Sequence, residues 1–270
     1  MKIALCFSGQ IRDIERTKEF WVSLIKQYDM DVYASFWDTE NEANGDTLDN
    51  FVRIYNAKKL EVESYHAFNK TTLSLLQPLI NPPKVLNMHF RNSIKMFGVY
   101  SQKYKIWKAN MLTKTTKIDY DIVIRARTDS YLKGDIQFVK NDMLNIPTGI
   151  MFSQAIPYST GLNDIFAFGK PRMMDYYSTM YLHMISYLNE GNHIFPAEHL
   201  LYVHMSKVNT NIRFMPNHLV ITRQSKGMED EIYNRFVENP IEDILPTNLM
   251  EVHPTPEDKN IYQAKEVIRL

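Results

Sequence analysis

The chain has 270 residues with 31 basic and 31 acidic side chains, and 44% of it is hydrophobic. That is ordinary globular composition, pointing to one large domain and excluding a disordered tail protein, a collagen-like fibre or a low-complexity scaffold. Zero net charge argues against broad nucleic-acid binding, no apolar run of about 18 residues is present to span a membrane, and a single cysteine makes neither an internal disulfide nor a multi-thiolate zinc site.

In chain order, residues 2–7 form a short apolar run ending in Ser8-Gly9-Gln10, which reads as a buried strand. The same opening lacks a small-residue cleavage site and so does not read as a signal peptide. With one cysteine, the expected setting is reducing and cytoplasmic. A helical pattern follows over 13–28, and 31–37 is a second strand rich in Val, Tyr, Phe and Trp. Residues 38–50 read as a polar stretch with Asn44-Gly45-Asp46 as its turn, and 60–64 as a third short strand. Asn81-Pro82-Pro83 breaks the chain before a long helix over 93–112. Strands are expected at 121–126, 149–153 and 164–168, and a helix from Pro171 to about Leu188. Another helix starts at Pro196, and 212–214 and 219–222 are short strands. The segment from Lys226 onward holds ten acidic and five basic residues and four prolines, which reads as a wrapping tail with one terminal helix. The expected organisation is therefore a domain over 1–222 and an acidic tail over 223–270, with a mildly basic body suited to a small anionic ligand.

Strands alternating with helices imply an α/β fold with a mostly parallel sheet, and ligands of such sheets sit at the carboxyl ends of the strands. Three segments fall there. Ser8-Gly9-Gln10-Ile11-Arg12 joins the first strand to the first helix. Gly9 permits close backbone approach, the helix start favours an anion, and Arg12 offers a fork for phosphate or carboxylate. The plainer alternative is a tight turn with a surface arginine. No dinucleotide or P-loop glycine pattern is present.

The segment from Asp121 to Tyr131 carries Arg125, Arg127 and Asp129. Two inward arginines on a central strand call for something anionic. Asp129 could hold a divalent ion through diphosphate oxygens, or it could simply pair with an arginine. Gly161-Leu162-Asn163-Asp164 sets a polar pair before an apolar strand and is also a plausible capped turn. Glu198 and His199 open a late helix, where Glu198 suits the helix dipole whether or not it does chemistry. Cys6 reads as a small buried hydrophobe, and a lone histidine as a structural residue.

The order of these segments resembles small nucleotide-sugar glycosyltransferases of the GT-A type, of the kind found in large DNA viruses, phages and bacterial polysaccharide clusters. The resemblance spans roughly residues 1–222. It implies a Rossmann-like, mixed and mostly parallel central sheet flanked by helices. It implies sugar transfer from a nucleotide-diphosphate donor, best guessed as a UDP-sugar, to a glycan or glycoprotein acceptor, metal-assisted and inverting. Ser8, Gly9, Gln10, Arg12, Arg125, Arg127, Asp129, Gly161 and Asn163 would then bind donor. Glu198 would act as base, with Asp164 orienting acceptor or donor sugar. Mn²⁺ or Mg²⁺ would sit on Asp129, with His218 as a late ligand. One departure stands out: the usual DxD supplies two carboxylates, whereas Arg127-Thr128-Asp129 supplies one. A nucleotide- or carbohydrate-binding module that kept the fold without catalysis is the alternative.

Overall fold

Side-chain alternation along the first strand sorts the whole molecule into two faces. In a computed structural model of the protein, β1 (Ile3–Gly9) directs Ile3, Leu5 and Phe7 into one core and Ala4 and Cys6 into another. The structure describes residues 1–40, 42, 45–80, 93–133, 147–152, 161–190, 197–215 and 218–222. The chain divides into two units, Met1–Glu229 and Asp230–Leu270, and the described residues all belong to the first. The acidic tail expected over 223–270 lies outside them.

Gly9 adopts φ +113°, a conformation that suits glycine, and the chain turns there into α1 (Ile14–Tyr28). This helix buries Ile14, Thr17, Trp21 and Leu24 at helical spacing. Next come β2 (Asp31–Trp37), α2 (Leu48–Tyr55), β3 (Lys59–Glu63), α3 (Tyr65–Ile80) and α4 (Ser93–Lys114). The second half comprises β4 (Ile122–Ala126), β5 (Ser130–Lys133), β6 (Gly149–Phe152), β7 (Ala167–Gly169), α5 (Pro171–Ser178), α6 (Met180–Asn189), α7 (Ala197–Ser206), β8 (Asn211–Phe214) and β9 (His218–Ile221).

Seven strands form one sheet in the order β3-β2-β1-β4-β7-β6-β8, and β5 pairs with β9 as a separate antiparallel ribbon. The β1–β2, β1–β4, β2–β3 and β6–β8 pairings are parallel, while β7 is antiparallel to both β4 and β6. This is the mixed, mostly parallel sheet flanked by helices that the sequence implies, consistent with a GT-A, Rossmann-like architecture. One core lies under α1 and α2, where Phe7 meets Trp21, Phe51 and Tyr55 edge-on or tilted. The other lies under α4, α5 and α6, around Ile106, Met174 and Met184.

The structure departs from the sequence reading in five places, the first being β5, a strand that was not expected. The polar stretch 38–50 runs into α2, which begins at Thr47, whose side chain accepts from the Asn50 N–H. The residues after β3 form a second unexpected helix, α3. The strand expected at 164–168 begins only at Ala167. Before it, the Asn163 side chain accepts from the Ile165 N–H at 2.8 Å and turns the chain. The helix from Pro171 splits at Thr179, where the Ser178 and Thr179 hydroxyls donate back to the Asp175 and Tyr176 carbonyls.

The turn after β4 is bolted to α1. Thr17 Oγ1 donates to the Thr128 carbonyl at 2.6 Å, Trp21 Nε1 to the Ser130 carbonyl at 2.7 Å, and the Arg12 N–H to Thr128 Oγ1 at 3.0 Å. These bonds fix the ends of β1 and β4 relative to each other. Thr17→Val keeps the side-chain shape but leaves the buried Thr128 carbonyl without this donor. It is expected to cost about 1–3 kcal/mol in urea denaturation.

Candidate functional site

A cleft of about 280 Å³ opens over the carboxyl ends of β1, β2 and β4. The sequence-predicted Ser8, Gly9, Gln10, Arg12, Arg125 and Arg127 all line it. Trp37, at the end of β2, and Tyr65, at the start of α3, add an aromatic wall, and Gly98, Ser101 and Gln102 of α4 complete the lining. Sequence reasoning missed these five. The signal for Trp37 was available, since it ends a parallel strand just as Ser8 and Arg127 do. The α4 residues carry no local signal, because only the packing of the helix brings them to the cleft.

Sheet register explains the cationic floor. Arg125 lies beside Cys6 on β1 and Ala167 on β7, so its strand neighbours carry no charge. Its residue is 2% exposed, Nη1 donates to the Ala126 carbonyl, and Nε and Nη2 have no hydrogen-bond partner among the described residues. Burial lowers its pKa, opposed by the nearby Tyr177 hydroxyl and Asp164. The Ser8 hydroxyl is likewise buried without a partner. Arg12 is exposed overall, yet its pKa is lowered, first by desolvation and then by the charge of Arg127. Cys6 beneath Arg125 is pushed up to about 12 by burial, which makes it an inert thiol, as expected.

The start of α1 does not serve as the expected anion site. Asp46 already accepts from the Ile14 N–H at 3.1 Å, and Asp13 stands beside it with a pKa raised by burial and by Asp46. The cationic side chains that line the cleft are Arg12, Arg125 and Arg127.

Asp129 and His218, the expected metal ligands, are not brought together. Asp129 is buried and accepts from Arg127 Nε at 2.8 Å and from its Nη2 as well, a fork-on-carboxylate pair. Its carbonyl accepts from the Thr222 N–H at one end of the β5–β9 ribbon, whereas His218 pairs in register with Lys133 at the other, ~13 Å along at normal strand rise. Among the described residues no group of three His, Cys, Asp or Glu side chains could hold a metal. The described residues alone do not fit a protein-held Mn²⁺ or Mg²⁺.

The two acidic motifs do meet. The Leu162 N–H donates to the Glu198 carbonyl at 2.9 Å, and a Cβ on Gly161 would overlap that carbonyl group. Gly161 is thus a close-packing glycine, and neither it nor Asn163 lines the cleft. Asp164 forms a buried ion pair with Lys103 of α4, with side chains 7% and 3% exposed. Burial alone would raise Asp164, but Lys103, with Arg125 and Arg127 behind it, holds it below its ordinary value. Glu198, half-buried, is raised by burial and by the Asp164 charge. The two carboxyls thus have pKa values displaced in opposite directions. His204 is structural: burial lowers its pKa to about 3, with Nδ1 against the Tyr187 hydroxyl and Nε2 against the Tyr176 carbonyl.

No protein-family model and no curated protein matches the chain. Its fold is similar to that of a solved structure of mouse Xyloside xylosyltransferase 1 in its apo form, with TM-score 0.41 and 9% identity over 79% of this chain and 84% of that one. Among the described residues no helix is long and apolar enough to cross a membrane.

Asp164→Asn leaves the buried Lys103 ammonium uncompensated and is expected to cost about 3–5 kcal/mol at neutral pH. Because the folded-state pKa of Asp164 is lowered, this loss should shrink as pH falls through that pKa. Glu198 behaves oppositely. Its raised folded-state pKa favours the fold at low pH, and that contribution is lost as pH rises through the folded value. Glu198→Gln should therefore gain melting temperature relative to the parent between about pH 4 and pH 7, measured by thermal melts across that range.

Proposed function

We propose that the protein is a glycosyltransferase that moves a sugar from a nucleotide-diphosphate donor, a UDP-sugar by the family resemblance, to a glycan or glycoprotein acceptor. The observation that carries this reading is a cationic, aromatic-walled cleft at the strand carboxyl ends; Asp164 and Glu198, with pKa values displaced in opposite directions, are not among its lining residues. Arginines at the floor suit a diphosphate, and the Trp37–Tyr65 wall suits a planar base or a sugar face.

In an inverting displacement the acceptor oxygen attacks the anomeric carbon as its proton passes to a carboxylate. The bond from that carbon to the diphosphate oxygen breaks, and the electron pair leaves on the diphosphate. Glu198 is the proton acceptor in this reading, because its raised pKa makes it the stronger base of the pair. Asp164, held ionised by Lys103, orients rather than accepts. The arginines stabilise the charge that develops on the leaving group. Glu198→Gln should lower turnover with a UDP-sugar by roughly 10²-fold or more while UDP affinity stays constant. Full turnover in that variant would remove Glu198 from the mechanism. A non-catalytic binding module predicts UDP binding with neither transfer nor hydrolysis of any nucleotide sugar in the parent protein.

A further inference from the structure

We infer that the diphosphate of the donor is neutralised by guanidinium groups, with Arg125 as its buried counter-ion, and not through a divalent ion held by the protein. The inference rests on the proposed function, since it names how the donor site of that reading handles charge.

Three observations support it. First, Arg125 is buried and lines the cleft, and two of its three guanidinium nitrogens lack a partner among the described residues. A buried guanidinium with unmet donors is unfavourable unless a ligand completes it. Second, the acids near it are engaged: Asp164 pairs with Lys103, and Asp129 with Arg127. Among the described residues that line the cleft there are three arginines and no acidic side chain. Third, Mn²⁺ and Mg²⁺ require several oxygen ligands, and the carboxylate that the sequence offers for that purpose accepts from Arg127 through both oxygens. An ion on Asp129 would share both carboxylate oxygens with the positively charged Arg127 guanidinium. Arg125 needs no such sharing: its Nε and Nη2 form a fork that matches two phosphate oxygens, and the unpartnered Ser8 hydroxyl lines the same cleft.

The test is calorimetric titration of the full chain with inorganic pyrophosphate and with UDP, in excess EDTA and in Mn²⁺ or Mg²⁺. Equal affinity in chelator and in metal is expected. Arg125→Met should weaken both ligands by roughly 10²-fold, the effect of losing charge-assisted hydrogen bonds. The same variant, without ligand, should melt no lower than the parent, since it removes a buried charge that has no ion-pair partner among the described residues. A structural arginine would instead lower the melting temperature. Asp129→Asn should keep pyrophosphate affinity in both conditions. Binding that appears only with the metal would overturn this inference and leave the transferase reading standing. Absence of binding in both conditions would overturn the donor site and the inference with it.

Discussion

A guanidinium at the centre of the sheet, with no ion-pair partner among the described residues and Asp164 acting on it only through its charge, is the constraint around which the rest of the site is arranged. Arg125 belongs to β4, which is hydrogen-bonded on both sides and buried along its length. Ile122, Ile124 and Ala126 of the same strand point into the aromatic core under α1, so that face is closed to charge. On the other face the neighbouring positions of β1 are Cys6 and Ser8, side chains short enough to leave volume above the strand end. Larger apolar residues there would fill the cleft and bury Arg125 against hydrocarbon. The tight core on one side and the small residues on the other are two halves of one arrangement.

The helix α4 joins this cationic floor to the acidic pair. Ser101 and Gln102 line the cleft, and Lys103 reaches Asp164. Lys105 pairs with Glu63 and lies over the Trp37 ring at 4.2 Å, while Tyr104 stacks on Trp37 from the same stretch. Five consecutive residues therefore set the cleft wall, the ionisation of Asp164 and the seating of the aromatic wall. Because Lys103 keeps Asp164 ionised, Glu198 faces a permanent negative neighbour, which contributes to its raised pKa. The close packing of Gly161 on the Glu198 backbone keeps the two carboxyls in that relation.

The elements legible in the sequence were those with one dominant periodicity. β1, β2 and β4 bury continuous runs and α1 a clear stripe, and their order implied both the sheet and the end of it where ligands bind in such folds. The arginines of β4 were legible because charge inside a strand contradicts its surroundings. The short helix α2 was not, since two turns with Phe51 and Tyr55 as the buried residues sit inside polar sequence. The partners of charged residues were also hidden. Nothing in sequence pairs Lys103 with Asp164, 61 positions apart, or places Asp46 at the start of α1. In both cases tertiary packing assigned the partner.

Two arginines on the same face of one strand meet different fates, and strand geometry explains why. Arg127 stands just past the end of β4, where the backbone is free to turn and Asp129 folds back onto it. Arg125, two residues earlier, is held in extended conformation between β1 and β7, so along the chain it reaches only the Ala126 carbonyl, and its cross-strand neighbours are uncharged. The carboxylate that the sequence pattern offered to a metal thus meets Arg127, and two nitrogens of Arg125 keep no hydrogen-bond partner among the described residues. A strand that ended one pair of residues sooner would let the turn satisfy Arg125 instead, and the cleft would lose its buried charge. The length of β4, more than any single side chain, sets the electrostatic character of the site.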